Sequence, residues 1–168
     1  TKLEQRGIAG MCIEDKEFPK KNSFINSESQ QLASIEEFSG KIKAAKDTQN
    51  QEDFCVVART EALVTGKGVE EALLRAQAYY EAGADAILVH SKAEDCSEIS
   101  KFMKEWHHKC PIVIVPTTYS NTPTQVFKDL RVSLILWANH MVRASIYQMQ
   151  KIATQIFNES SVSNINQN

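Results

Sequence analysis

Four of the five short apolar runs in this 168-residue chain end in groups able to hold or move charge. Glu14, Asp15 and Lys16 close the first run, Arg59, Thr60 and Glu61 the second, His90 and Ser91 the third, and Asn139 and His140 the last. Carboxylate oxygens bind Mg²⁺ directly or through its waters, and a guanidinium offers a planar fork to carboxylate or phosphate oxygens. Together with an imidazole, such a set suits an anionic ligand accompanied by a hard divalent cation. Each residue also admits a structural reading. Glu14 and Asp15 could be ordinary polar strand ends, Arg59 could pair with Glu61 or Glu14, and His90 could be a satisfied histidine. Convergence favours chemistry, because independent strand ends supply complementary groups to one face. His107 and His108, on a charged helix end, read as surface residues.

The segment Glu17 to Ser29 follows the first of these ends and carries Pro19, Lys20, Lys21, Asn22 and Ser23. Strand-to-helix connections usually take about 2–6 residues, and longer ones at a ligand-binding face are commonly lids. Two lysines and an amide on a lid could close over an anion and exclude water, or they could simply be solvated loop residues.

The elements that must position these groups are legible as well. Ile8 to Ile13, Phe54 to Ala58, Ala86 to Val89, Ile112 to Val115 and Leu134 to Trp137 are nearly continuous runs of branched and small residues, as strands covered on their faces produce. Ser34 with Glu37 forms a capping box before Ile35, Phe38 and Ile42. Val69, Ala72, Leu73, Ala76 and Tyr80 make a second helical stripe, closed by Gly83. Asp95 and Glu98 open a third helix. Thr122 as N-cap and Pro123 at the first position open a fourth, and the last helix spans about Met141 to Phe157. The Ser/Asn-rich residues 158–168 read as a flexible polar tail. Five strand-helix units predict an α/β fold with a parallel sheet, closed either as an open doubly wound sheet or as part of a barrel. The phosphate-binding glycine fingerprints of open nucleotide-binding sheets are absent.

Composition narrows the function classes. Nineteen Lys+Arg against 21 Asp+Glu give a net charge of -2, without a basic stripe for nucleic acid. No apolar run approaches the ~20 residues that span a bilayer. Residue 1 is Thr and no charged-then-apolar leader follows it. Cys12, Cys55, Cys96 and Cys110 show no C-x-x-C spacing, so they are expected to be reduced, small, buried hydrophobes of a cytoplasmic protein.

The residues become specific when taken together: Glu14-Asp15-Lys16, then Pro19-Lys20 and Asn22-Ser23; V-V-A-R-T-E-A at Val56 to Ala62; E-A-G-A-D-A-I-L-V-H-S-K at Glu81 to Lys92; P-I-V-I-V-P-T at Pro111 to Thr117; and W-A-N-H at Trp137 to His140. In this order they resemble the phosphoenolpyruvate mutases of the isocitrate lyase/phosphoenolpyruvate mutase superfamily, over nearly the whole chain. The resemblance implies a (β/α)8 TIM-type barrel with Mg²⁺ at its mouth, and an intramolecular phosphoryl transfer interconverting phosphoenolpyruvate and phosphonopyruvate. It implies that Glu14 holds water ligands of Mg²⁺. Arg59, His90 and Asn22 would contact the transferring phosphoryl group, with Lys20 and Ser23 on the closing lid binding substrate. It also implies a homo-oligomer, tetrameric in that family, assembled through a helix swapped near the C-terminus.

Alternatives within the superfamily follow from the lid. Carbon–carbon lyases resemble K-[KR]-C-G-H there, with the cysteine as proton donor, whereas this chain has Lys20-Lys21-Asn22-Ser23, and an amide cannot serve as that acid. Phosphonopyruvate hydrolase is nearer and departs at the Asn22 position. A non-catalytic fragment or assembly piece is the reading from a different class. Strand ends recur about every 31 residues from Glu14 to Asn139, so residues 1–157 account for about five of eight units. A complete barrel needs about 250 residues. The expectation is therefore an N-terminally truncated barrel, lacking the direct metal ligand and the loop for the substrate carboxylate.

Overall fold

The strand runs fold as their composition requires: β-branched residues keep the backbone extended, and glycines or polar residues interrupt them. The computed structural model of the chain describes residues 1–23, 25 and 27–163. Five strands form, β1 (Gly10–Glu14), β2 (Cys55–Thr60), β3 (Ala86–Val89), β4 (Ile112–Ile114) and β5 (Leu134–Ile135). They alternate with α1 (Ile35–Asp47), α2 (Gly68–Glu81), α3 (Ser97–Trp106) and α4 (Thr124–Asp129), and α5 (His140–Glu159) follows β5. All neighbouring strands are parallel, in the order β1-β2-β3-β4-β5. A doubly wound sheet reverses its strand order at a switch point. This sheet does not: its strands lie in chain order, as they do in a segment of a (β/α)8 barrel.

Alternation along the strands divides the sheet into two faces. One set of positions, Val56, Ala58, Ile87, Val89, Ile112 and Ile114, belongs to the main core with Phe38, Ile42, Ala72, Ala76, Tyr79, Ile99, Phe102 and Trp106 of the helices. Burying each of the larger side chains contributes about 1.5–3 kcal/mol. The alternate positions form a smaller cluster of Leu88, Val113 and Val115, with Val57 and Ala86 packed against it. Gly10 lets β1 approach β2 closely, because a Cβ there would meet the Cys55 carbonyl oxygen at 2.6 Å.

The helix signals hold in most of their details. Ser34 Oγ accepts the Glu37 amide at 3.1 Å, but the Glu37 carboxylate turns to Lys41 instead of completing the box. Gly83 adopts the left-handed φ of +101° expected after a helix. Asp95 and Glu98 do flank the start of α3, where Asp95 receives the Ser97 amide and the Glu98 carboxylate takes Ser91 Oγ at 2.5 Å, while Cys96 occupies the cap position. Pro123 rather than Thr122 sits at the cap of α4.

The expectation for the cysteines needs correcting. All four are free, but Cys12 and Cys55 are exposed, because they lie at positions of β1 and β2 that face away from the helices. Cys96 and Cys110 are half-buried, and burial pushes the Cys110 thiol up to about 11.

The chain divides into two compact units, Thr1–Leu136 and Trp137–Asn168. In the second, α5 extends to Glu159, so Asn158 and Glu159 of the expected tail are helical, and Ser160 ends the helix at a φ of 49°. The rest of that tail from residue 164 onward lies outside the described residues, as do Phe24 and Asn26 of the expected lid. Among the described residues no helix is long and apolar enough to cross a membrane.

Candidate functional site

Parallel register brings the charged strand ends together. Glu14 pairs with Arg59 across β1 and β2, and Thr60 with Val89 across β2 and β3. With side chains alternating, Glu14, Arg59, Glu61 and His90 turn to one face at the carboxyl end of the sheet, while Asp15 and Thr60 turn to the other.

On the first face a fully buried Glu61 is the centre. Its Oε1 accepts from Arg59 Nε at 2.6 Å and lies 3.0 Å from His90 Nδ1. Its Oε2 accepts from Ser23 Oγ at 2.8 Å and pairs with Lys16 Nζ at 3.0 Å. Arg59 Nη2 lies 2.9 Å from His90 Nδ1 and 3.4 Å from Ser23 Oγ, and its Nε lies 3.3 Å from Glu14 Oε2. Lys20 Nζ reaches Glu14 Oε1 at 3.1 Å. The structural pairing of Arg59 with Glu14 and Glu61 is thus present and forms part of the same cluster. Burial pushes the Glu61 carboxyl up, but the hydrogen bond from His90 and the Arg59 charge outweigh it and hold this acid well below the usual carboxylate range. Lys16, Lys20 and Arg59 against Glu14 and Glu61 leave an excess of positive charge, which favours an anion.

The long connection expected to act as a lid is held to the rest of the chain through its described residues. Lys16 and Leu32 form an antiparallel bridge, Glu17 donates its amide to the Gln31 carbonyl, and the buried Gln30 amide donates to the carbonyls of Glu17 and Gln31. Ser27 Oγ donates to the Val64 carbonyl at 3.0 Å, and Lys92 Nζ donates to Ser27 Oγ and pairs with Glu28. Lys16 Nζ also donates to Ser23 Oγ at 2.7 Å and to the Lys21 carbonyl at 3.1 Å. The Ser23 hydroxyl therefore uses its one hydrogen and both lone pairs. Asn22, one residue earlier, lies at the exposed surface, where its carbonyl accepts the Ile25 amide.

On the other face Asp15 is fully buried among donors: Thr60 Oγ1 at 3.0 Å, the Glu61 amide at 2.9 Å, Tyr79 Oη at 2.8 Å and Arg75 Nη1 at 3.2 Å. Burial raises its carboxyl above the ordinary value despite these partners.

Glu14, Arg59, His90, Lys20 and Ser23, all expected at the site, thus lie in one connected cluster. Asn139 is the N-cap residue of α5 and His140 its first residue, in the second unit, where the His140 ring stands edge-on to Trp137 at 5.4 Å. His107 and His108 are exposed. The sequence reading named Glu61, Lys16 and Asp15 as strand-end residues; it offered Glu61 only a structural pairing with Arg59 and gave Lys16 and Asp15 no partner. A two-residue spacing from Arg59 was the available signal for Glu61.

Among the described residues no group of three His, Cys, Asp or Glu side chains is arranged to hold a metal ion. Mg²⁺ keeps several waters and takes one or two carboxylates beside substrate oxygens. Glu14, partly exposed beside Lys20 and Arg59, fits one such carboxylate and does not by itself make a complete metal site.

A family model described as phosphoenolpyruvate phosphomutase matches residues 1–157. Among curated proteins, the phosphoenolpyruvate phosphomutase of Tetrahymena pyriformis is 54% identical over 98% of this chain and 55% of its own. Among solved structures, a phosphoenolpyruvate phosphomutase from Streptomyces platensis subsp. rosaceus superposes with a TM-score of 0.90 at 42% identity, over 96% of this chain and 56% of that one. A phosphonopyruvate hydrolase in complex with oxalate and Mg²⁺ superposes at 0.85 with 39% identity, over 97% and 56%. The chain spans about half the length of the curated relatives it matches.

Proposed function

The chain belongs to the phosphoenolpyruvate phosphomutase family, and from that premise we propose that the protein interconverts phosphoenolpyruvate and phosphonopyruvate by intramolecular phosphoryl transfer. The observation that carries this reading is the seating of the lid's Ser23 on the same buried carboxylate that holds Arg59 and His90.

Taken from phosphonopyruvate, the C–P bond breaks with its electron pair left on the pyruvate carbon as an enolate. The enolate oxygen then attacks the phosphorus, and no proton is exchanged. The transferring group is loose and metaphosphate-like, so it needs positioning and charge stabilisation more than covalent assistance. Arg59 offers its guanidinium to the phosphoryl oxygens, with His90 and the lid's Asn22 as further contacts. Lys20 and Ser23 close the site, which matters because water would capture the phosphoryl group as phosphate. Glu14 would help to hold Mg²⁺. The metal, when bound, supplies Lewis-acid stabilisation of the substrate oxygens.

The reading includes Mg²⁺ dependence, assembly as a homo-oligomer and a cytoplasmic location, with which four free cysteines accord. The test is ³¹P NMR of the intact protein with Mg²⁺ and phosphonopyruvate. Phosphoenolpyruvate is the expected product. Inorganic phosphate with pyruvate as the main products would replace the mutase reading with a hydrolase.

A further inference from the structure

We propose that Glu61 is a positioning residue that couples seating of the lid to the placement of Arg59 and His90, an inference that rests on the phosphoryl-transfer reading above. The two oxygens of this carboxylate divide their partners. Oε1 holds the two strand-end groups, Arg59 Nε at 2.6 Å and His90 Nδ1 at 3.0 Å. Oε2 holds the lid and its root, Ser23 Oγ at 2.8 Å and Lys16 Nζ at 3.0 Å. Both oxygens are engaged by protein donors and the side chain is wholly buried, so Glu61 acts through its neighbours rather than on substrate.

Burial makes the coupling stiff. Withdrawal of Ser23 takes a donor from Oε2 and an acceptor from Lys16 and from Arg59 Nη2, and water entering in its place holds none of them to the loop. The guanidinium has an alternative, because Glu14 Oε2 already lies 3.3 Å from its Nε. With the lid away, Arg59 is therefore drawn differently between two carboxylates. A displacement of about 1 Å of a positioning group can cost on the order of 10²-fold in rate. Glu61 thus ties the competent arrangement of Arg59 and His90 to a lid that already excludes water.

The experiment uses the intact protein. Glu61→Gln should lower kcat at least ~10-fold with a smaller change in KM, and divert part of the turnover of phosphonopyruvate to phosphate and pyruvate. Ser23→Ala should act in the same direction, and the double variant should be no worse than Glu61→Gln alone, since both remove one connection. Additive effects, or kcat and product ratio within twofold of the parent, would overturn the proposal. Because Glu61→Gln leaves the buried Lys16 without its carboxylate, Lys16→Met with Glu61→Gln removes that buried charge as well if the single variant does not fold.

A second readout needs no turnover. Ser23→Ala should shift the His90 imidazole resonances when Glu61 is present and not in the glutamine background. It should also speed trypsin cleavage after Lys20 and Lys21. Unmoved His90 resonances, or equal shifts in both backgrounds, would overturn the coupling. A parent protein inactive on phosphonopyruvate would instead remove the phosphoryl-transfer reading, leaving these measurements to decide the coupling.

Discussion

Asp15 and Glu61 are both fully buried carboxylates at the carboxyl end of the sheet, and they stand on opposite faces of it. Asp15 takes its donors from β2, the residue after it, and α2, elements held in the main core. Glu61 takes half of its donors from strand ends and half from the lid and its root. Their charge environments differ too. Asp15 faces one cation and several neutral donors, and burial wins, raising its carboxyl. Glu61 faces Arg59, Lys16 and His90, and there burial loses. Equal depth therefore does not mean equal role. A carboxylate whose partners share one packed layer is scaffold, whereas one whose partners span two separately held segments can transmit their relative position.

The comparison can be broken first at Asp15. Asp15→Ala leaves Thr60, Tyr79 and the Glu61 amide without their buried acceptor and Arg75 with Glu71 as its remaining carboxylate, and should cost about 3 kcal/mol or more of stability in urea unfolding. A loss under ~1 kcal/mol would remove its scaffold role. Arg59→Ala should do the converse, lowering kcat/KM by at least ~10²-fold with a smaller loss of stability than Asp15→Ala, since Lys16 and His90 still hold Glu61. Near-parental activity would make Arg59 a structural residue only.

Acid should then separate the two carboxylates. Glu61 is depressed on folding, so its contribution is complete above the unfolded value of 4.5 and is lost as pH falls below it. Asp15 is raised, so its contribution has the opposite sign: it is complete at low pH and declines as pH rises through the raised value. Urea midpoints between pH 3 and 7 should accordingly flatten on the acid side in Glu61→Gln and not in Asp15→Asn. The reverse pattern would exchange their assignments. The smallest expected effect is that of Tyr79→Phe, which removes one hydroxyl from the Asp15 cluster and should cost about 1–2 kcal/mol with activity retained. A large loss of activity there would show that the two faces are not independent.

Much of this was legible in the chain. The five strands, the cap at Ser34 and the left-handed Gly83 are local properties, written in side-chain branching, one hydroxyl and one missing Cβ. The site residues Glu14, Arg59 and His90 were found because each ends an apolar run, and a parallel sheet brings such ends together. The partner of Glu98 was not legible, because it is Ser91, six residues before the helix begins, at the end of another element. The cysteines misled for a similar reason: an apolar run does not say which of its alternate positions helices will cover.

The amino-acid sequence by itself determined the elements, the family and the polar strand ends, because these depend on residue type and on spacing along one chain. Only the tertiary structure decided between a doubly wound sheet and a barrel segment, through a strand order that never reverses. It alone decided that Glu61, rather than the more conspicuous Arg59, is the centre of the cluster. That role depends on which of its oxygens meets the lid 38 residues earlier in the chain and which meets His90 29 residues later. Such distances are set by packing in three dimensions, and no local propensity encodes them.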